Sequence, residues 1–336
     1  MPAADPQRLL ELINGCWTTQ ALCATVELGI ADTLADQPMD AATLARCAGT
    51  DSQATARLLR ALVSLGVCEC HGTVYGLTAN GRLLAAGPGP SLRGWATLAG
   101  RGLWAPWHGL ADSVRTGLGH HARDGHDRFE ALDGDAEAAS AFQQAMSELT
   151  ALIAGPVAAI IGGRLVGTGH IVDVGGGHGG LLAAVLASRP GWHGTVFDRP
   201  HARAGAERLL REEGLADRVA VISGNFFDGV PAGDVLLLKS VLHDWGDNCS
   251  ALLLRRCADA LSPGGTLLAV ERVMPEAPDD LPAHRALCRS DLNMLIGPGG
   301  CERTEAQFRA LFATAGLSII GATPAAAGFV VLEATR

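Results

Sequence analysis

Two spacings of apolar residues divide this chain. From residue 8 to residue 163 apolar positions recur mostly at helical intervals. From residue 170 onward short apolar runs alternate with longer amphipathic stretches. In the first part, RLLELINGCWTTQALCATVELGIADTLA (8–35) predicts helix, most clearly over 21–34. Asp40 is placed to cap a short helix starting at Ala41. Asp51-Ser52 open a second helix, with Leu58, Leu59, Leu62, Val63 and Leu65 on its apolar side and Gly66 as its stop. Residues 67–70 and 73–77 alternate like a hairpin turned at His71-Gly72. Helix, helix, hairpin is a winged-helix pattern. Residues 88–163 read as mainly helical, including one long apolar helix over 136–161.

The later pattern predicts strands at 170–174, 194–198, 219–223, 234–239 and 266–271, with helices between them. A helix at 305–315 and an antiparallel pair at 318–323 and 328–333 follow. The expected fold class is therefore α/β, a Rossmann-like doubly wound sheet preceded by a mainly helical winged-helix domain. The expected division is 1–100, a helical connector 101–163 and the sheet domain 164–336.

The sheet domain opens with HIVDVGGGHGG (170–180), a strand running into glycines and then into an apolar helix stopped at Pro190. Glycine lets the backbone turn sharply and approach a ligand. The following helix presents unpaired N–H groups and its positive end. Gly175, Gly177 and Gly180 satisfy G-x-G-x-x-G, a dinucleotide pattern. Asp173, Gly175, Gly177 and Gly179 also satisfy D-x-G-x-G-x-G, a pattern of S-adenosylmethionine enzymes. The loop alone leaves both open, an NAD oxidoreductase included.

Ligands in such sheets bind beyond the carboxyl ends of the strands. Those ends carry Asp173, then Asp198, placed to accept two ribose hydroxyls. Asn225 and Phe226 could meet an adenine ring, and Lys239, Ser240, His243, Asp244 and Glu271 follow. Trp95, Trp104 and Trp107 cluster in one segment, and Phe142 and Met146 stand one helical turn apart; each set reads as core or as an aromatic pocket wall. His120, His121 and His126 read as a solvated patch, and no metal site is expected.

A hydrophobic share of 48% supports a large core. The net charge of −9 argues against a nucleic-acid partner, and the presumed recognition helix carries only Arg57 and Arg60. The winged helix is therefore read as a dimerisation and lid element, with a small-molecule-sensing regulator as the alternative. Nine scattered cysteines suggest reduced thiols, and the Cys68/Cys70 pair has no second pair to complete a metal site. No apolar run of about 18 residues suggests a membrane span. MPAADPQRLLELI lacks the basic and apolar regions of a signal peptide, so a cytoplasmic protein is expected.

Together, DVGGGHGG, FDRPH, GNFF, LKSVLHDWGDN, AVERVMPE and DLNMLIGPGGCERTEAQF resemble class I S-adenosylmethionine-dependent small-molecule O-methyltransferases. The similar proteins are bacterial natural-product and plant phenolic enzymes with a winged-helix dimerisation domain. The resemblance spans nearly the whole chain, H-D-W-x-D and GG-x-ERT being its most specific pieces. It implies S-adenosylmethionine as methyl donor, leaving S-adenosylhomocysteine, and a flat hydroxylated aromatic as substrate: a phenazine, an aromatic polyketide or a phenol. It implies His243 as general base, oriented by Glu271 and Glu302. Asp173, Gly175, Gly177, Asp198, Asn225, Phe226 and Lys239 would hold the cofactor. Asp291 and Met294, matching D-x-x-M-L, and Phe142 and Met146, matching F-x-x-x-M, would line the substrate pocket, with Trp107 and Asp244 beside them. A homodimer is implied, one subunit's N-terminal helix closing its partner's pocket. The chain departs from the family at Asn225, where many members have Asp, and at Arg199, where an apolar residue is common. GLGHHARDGH replaces an apolar-aromatic stretch. N- or C-methylation, hydroxylation and decarboxylation on the same fold stay open.

Overall fold

The computed structural model describes residues 4–123, 125 and 128–336, and it divides into two compact units, Met1–Ala105 and Pro106–Arg336. His126, one of the three clustered histidines, lies outside the described residues.

The first unit starts with helices Pro6–Ile13, Gly15–Glu27 and Ile30–Asp36. Strand β1 (Met39–Asp40), helices Ala41–Ala48 and Ser52–Ser64, and strands β2 (Cys68–His71) and β3 (Val74–Leu77) follow. The caps are those expected: an Asp40 oxygen accepts from the Ala42 and Thr43 N–H groups, and Asp51 from that of Ala54. The hairpin gains a third strand, in the order β1-β3-β2. Ile30, Leu34, Leu44, Leu59 and Leu62 form the core. Leu65 instead faces solvent, because it lies just past the end of its helix. Cys68 is buried and Cys70 exposed, and all nine cysteines are free thiols. Leu9, Leu10, Leu12 and Ile13 of the first helix and Trp17 of the second are exposed, so the first two helices have an apolar surface that their own unit does not cover.

The second unit is built on an eight-stranded sheet: β4 (Gly169–Val174), β5 (Trp192–Asp198), β6 (Val219–Ser223), β7 (Gly233–Lys239), β8 (Leu261–Met274), β9 (Arg303–Thr304), β10 (Ser318–Pro324) and β11 (Phe329–Thr335). The order is β10-β11-β8-β7-β4-β5-β6, with β9 alongside β8. The strands from β6 to β8 run parallel, and β11 and β10 close the edge antiparallel, as expected. The strand order reverses beside β4, which places a ligand crevice at its carboxyl end.

Side chains alternate between two buried layers. Ile171, Val196, Leu237 and Leu268 pack with helices Ala136–Gly162, Gly180–Ala187 and Pro200–Glu212. Val172, Val174, Leu236 and Leu267 pack with Asp247–Ala260 and Glu305–Ala313. Helix Ala136–Gly162 is long and apolar enough to cross a membrane by length and composition, yet its Ile153, Val157 and Ile161 sit in this core.

Candidate functional site

At the end of β7 the chain leaves the sheet through Ser240, which takes a left-handed conformation with φ 55°. Such a conformation costs a non-glycine residue about 1–3 kcal/mol and persists only where the surroundings enforce it. The Ser240 N–H donates to Val270 O at 3.0 Å. The turn Leu242–Asp244 then presents His243.

Glu271, fully buried on β8, accepts the N–H groups of Val241 (3.0 Å) and Leu242 (2.8 Å) with one oxygen. Its other oxygen lies 3.7 Å from His243 Nδ1, and Glu302 Oε1 lies 3.5 Å from the same nitrogen. Asp244 Oδ1 is 3.6 Å from Nε2, beyond hydrogen-bond range. Burial works to lower the His243 pKa, but Glu271, Asp244 and Glu302 outweigh it and push it up to about 9. Burial raises the carboxyls of Glu271 and Asp244. Burial also acts to raise Glu302, but His243 and the Ser290 hydroxyl, which donates at 2.7 Å, hold it below the usual range. Two carboxylates thus close the Nδ1 side of the ring, and Nε2 is the nitrogen free to take a proton from another molecule.

The glycine loop lies at the same sheet edge. Gly175, Gly177 and Gly179 have φ of 71°, 56° and 75°. A Cβ at Gly176 would come within 2.7 Å of the Asp173 carboxylate, and one at Gly177 within 3.2 Å of Gln143 Oε1. The loop is thus a cradle whose walls are backbone. Asp198 accepts the Gly177 N–H (2.7 Å) through one oxygen and the Arg199 N–H (2.6 Å) through the other, keeping lone pairs for ribose hydroxyls. Asp173 is almost fully buried; burial, with Asp198 adding and Lys239 opposing, pushes its carboxyl to about 7. A buried acid and a half-buried one beside a glycine cradle fit an adenosyl ligand that carries positive charge.

Lys239, pushed down to about 8 by burial, stands among Glu271, Asp173 and Asp244 and donates to Thr150 Oγ1 at 3.1 Å. Phe226 packs edge-on against Phe227 and Trp245. The Asn225 side-chain oxygen accepts the Phe227 N–H at 3.0 Å, which leaves its NH2 group as a donor.

Around these groups stand apolar and aromatic side chains. Phe142 and Met146 lie on Ala136–Gly162, and Phe129 packs between Phe142 (6.2 Å) and Trp245 (5.5 Å). Trp107 Nε1 donates to Asn293 Oδ1 (3.2 Å) on helix Pro282–Ile296, which also carries Asp291 and the buried Met294. Asp291 accepts the Glu302 N–H at 2.8 Å, so it holds a member of the base cluster. Of the clustered tryptophans, Trp95 and Trp104 belong to the first unit and Trp107 to the second. Arg199 and His201 both bond Asp133, at 2.8 and 2.7 Å.

One residue inside a noted motif acquires a role that spacing did not suggest. Arg303 is almost fully buried and donates to Leu242 O (2.8 Å), Trp245 O (2.7 Å) and Asp247 Oδ1. It fixes the carbonyls on both sides of His243. A charged residue within GG-x-ERT was the available signal, but its target depends on the pairing of β9 with β8.

Two family models match the chain, an O-methyltransferase domain over residues 107–318 and an O-methyltransferase dimerisation domain over residues 10–87. Phenazine O-methyltransferase PhzM of Lysobacter antibioticus is 36% identical, over 97% of this chain and 95% of its own. The mitomycin biosynthesis 6-O-methyltransferase of Streptomyces lavendulae is 35% identical, over 99% and 95%. The crystal structure of NcsB1, an O-methyltransferase from neocarzinostatin biosynthesis, in complex with S-adenosylmethionine and 2-hydroxy-5-methyl naphthoic acid, superposes with a TM-score of 0.78 at 35% identity, over 95% of this chain and 96% of that one.

Proposed function

Since the chain belongs to the O-methyltransferase family, we propose that it methylates a hydroxyl of a flat aromatic metabolite, using S-adenosylmethionine and His243 as general base. The observation that carries this reading is the partly buried His243, flanked by three carboxylates at the same sheet edge as the glycine cradle. Relatives named for phenazine and mitomycin methylation, and one bound to a hydroxynaphthoic acid, favour a polycyclic aromatic.

S-adenosylmethionine supplies a methyl group on a sulfonium, a good leaving group. The protein's task is to align the acceptor oxygen and take its proton. His243 Nε2 accepts that proton, and Glu271, Glu302 and Asp244 stabilise the imidazolium formed. A base whose conjugate acid titrates at about 9 is well matched to a phenol of pKa about 10. Gly175, Gly177, Asp173 and Asp198 cradle the methionine and ribose parts, and Asn225, Phe226 and Lys239 complete the cofactor surroundings. Phe142, Met146, Trp107 and Met294 form the substrate walls. The dimerisation domain pairs two subunits, and the exposed Leu9, Leu12, Ile13 and Trp17 form part of that contact and close the partner's pocket. The enzyme works in the cytoplasm.

Calorimetric titration with S-adenosylhomocysteine beside NADH is the first test, followed by mass spectrometry of hydroxylated aromatics. Binding of S-adenosylhomocysteine alone and a product heavier by one methyl group are expected. Binding of NADH alone, or an oxygen gain or carbon dioxide loss in the product, would overturn the reading.

A further inference from the structure

Arg128 opens the helix Arg128–Asp133 in the second unit. Its guanidinium carbon stands 5.2 Å over the Phe142 ring. One terminal nitrogen lies so close to Gly297 that a Cβ there would come within 2.4 Å of it. The fork is therefore fixed between the helix that carries Phe142 and Met146 and the loop after Pro282–Ile296. Asp244, the neighbour of His243, is the charge that offsets its burial. Yet no hydrogen bond joins Arg128 to Asp244, and among the described residues no acceptor takes its N–H groups.

An arginine carries five donors in a planar fork shaped for carboxylate-like partners, and the half-buried Arg128 keeps this fork open to one. This fork is stacked on the Phe142 face, and the next residue, Phe129, packs on Trp245, two positions after the proton-accepting histidine. We propose that Arg128 selects substrates bearing a carboxylate, or another oxyanion, on the ring system that carries the acceptor hydroxyl. The inference rests on the methyl-transfer reading above. A hydroxy-aromatic acid would lay its ring along Phe142 and its anion on the guanidinium, with the hydroxyl directed to His243. A neutral phenol would fill the same walls and leave the donors unpaired, so the acid is preferred by roughly 10–100-fold, the worth of a charge-assisted pair.

The test compares 1-hydroxy-2-naphthoate with 1-naphthol, in wild type and in the Arg128→Leu and Arg128→Lys variants. Two readouts are taken: methyl transfer by mass spectrometry, and calorimetric binding to the full-length protein saturated with S-adenosylhomocysteine. The wild type is expected to prefer the acid in both. Arg128→Leu should collapse that preference, chiefly through KM, and Arg128→Lys should keep part of it. Binding of the acid that depends on Arg128, without transfer to either compound, would uphold the inference and turn the failure onto the transfer reading. Equal binding of acid and neutral compound by the wild type, no binding of the acid, or a preference unchanged in Arg128→Leu would overturn it. Should the leucine variant not fold, Arg128→Gln takes its place, and a preference unchanged in that variant would overturn the inference.

Discussion

His243 is held toward its protonated form by three carboxylates, and this sets the sign of its pH response. Only the neutral imidazole can accept a proton, so kcat/KM should rise with pH along a limb centred near 9. Glu271→Gln removes one of the charges that favour imidazolium, while the amide oxygen can still accept from Val241 and Leu242. The limb should move to lower pH and the maximal rate should fall, which a pH–rate profile of the two proteins would check. His243→Ala should lose about 10²–10⁴-fold in turnover, the usual worth of a general base, and still bind S-adenosylhomocysteine by calorimetry.

Asp173 behaves oppositely to a paired surface carboxylate. Its folded pKa, about 7, lies above the unfolded value. The stability it contributes is therefore full below about pH 4 and is lost as pH rises through 7. A cationic ligand favours the ionised form, so affinity for S-adenosylmethionine should increase as pH rises through about 7. Titrations across that range should show the slope in wild type and a flatter one in Asp173→Asn.

At the scale of elements, the decisive piece is the turn Leu242–Asp244, gripped through its N–H groups by Glu271 and through its flanking carbonyls by Arg303. Arg303→Met keeps roughly the volume but removes the charged donor from those carbonyls, leaving them only the Ser250 hydroxyl and, for Leu242 O, the Trp245 N–H. A stability loss of about 3 kcal/mol is expected by denaturant unfolding, with kcat falling more than cofactor affinity. Thr304 caps the helix Glu305–Ala313 in a reciprocal box with Gln307; Thr304→Ala should cost about 1 kcal/mol and leave the pH profile unchanged.

Elements of this kind differ in how far they can be read from residues. The caps at Asp40 and Asp51 and the glycine loop are legible because the partner groups lie within a few residues. The two-residue strands β1 and β9 are not. Each exists only because a distant strand supplies its hydrogen bonds, Val74–Leu77 for the first and the end of β8 for the second. The five-residue π-turn Leu98–Gly102 likewise depends on Gly100 meeting Cys23 of another helix.

For the whole molecule, the uncovered apolar side chains of the first helix imply association. Replacing Leu9, Leu12 and Ile13 by Ser should yield a monomer in sedimentation at micromolar concentration, with the circular dichroism of both units retained. Turnover should drop with dissociation if a partner helix closes the pocket.

The residues alone determined the doubly wound sheet, the winged helix before it and the cofactor loop. These rest on short-range periodicity, on caps, and on glycines whose backbone freedom is a property of the residue itself. The motifs also carried His243, Glu271 and Glu302 as a set through their resemblance to a family. What they did not contain is the distance between them. Residues 243, 271 and 302 meet because β7, β8 and β9 lie side by side, so that the ends of three strands converge on one imidazole. The pKa of that imidazole, the clamp by Arg303 and the stacking of Arg128 on Phe142 belong to the tertiary structure. Charge–charge energies depend on separation and burial, and chain order does not encode either.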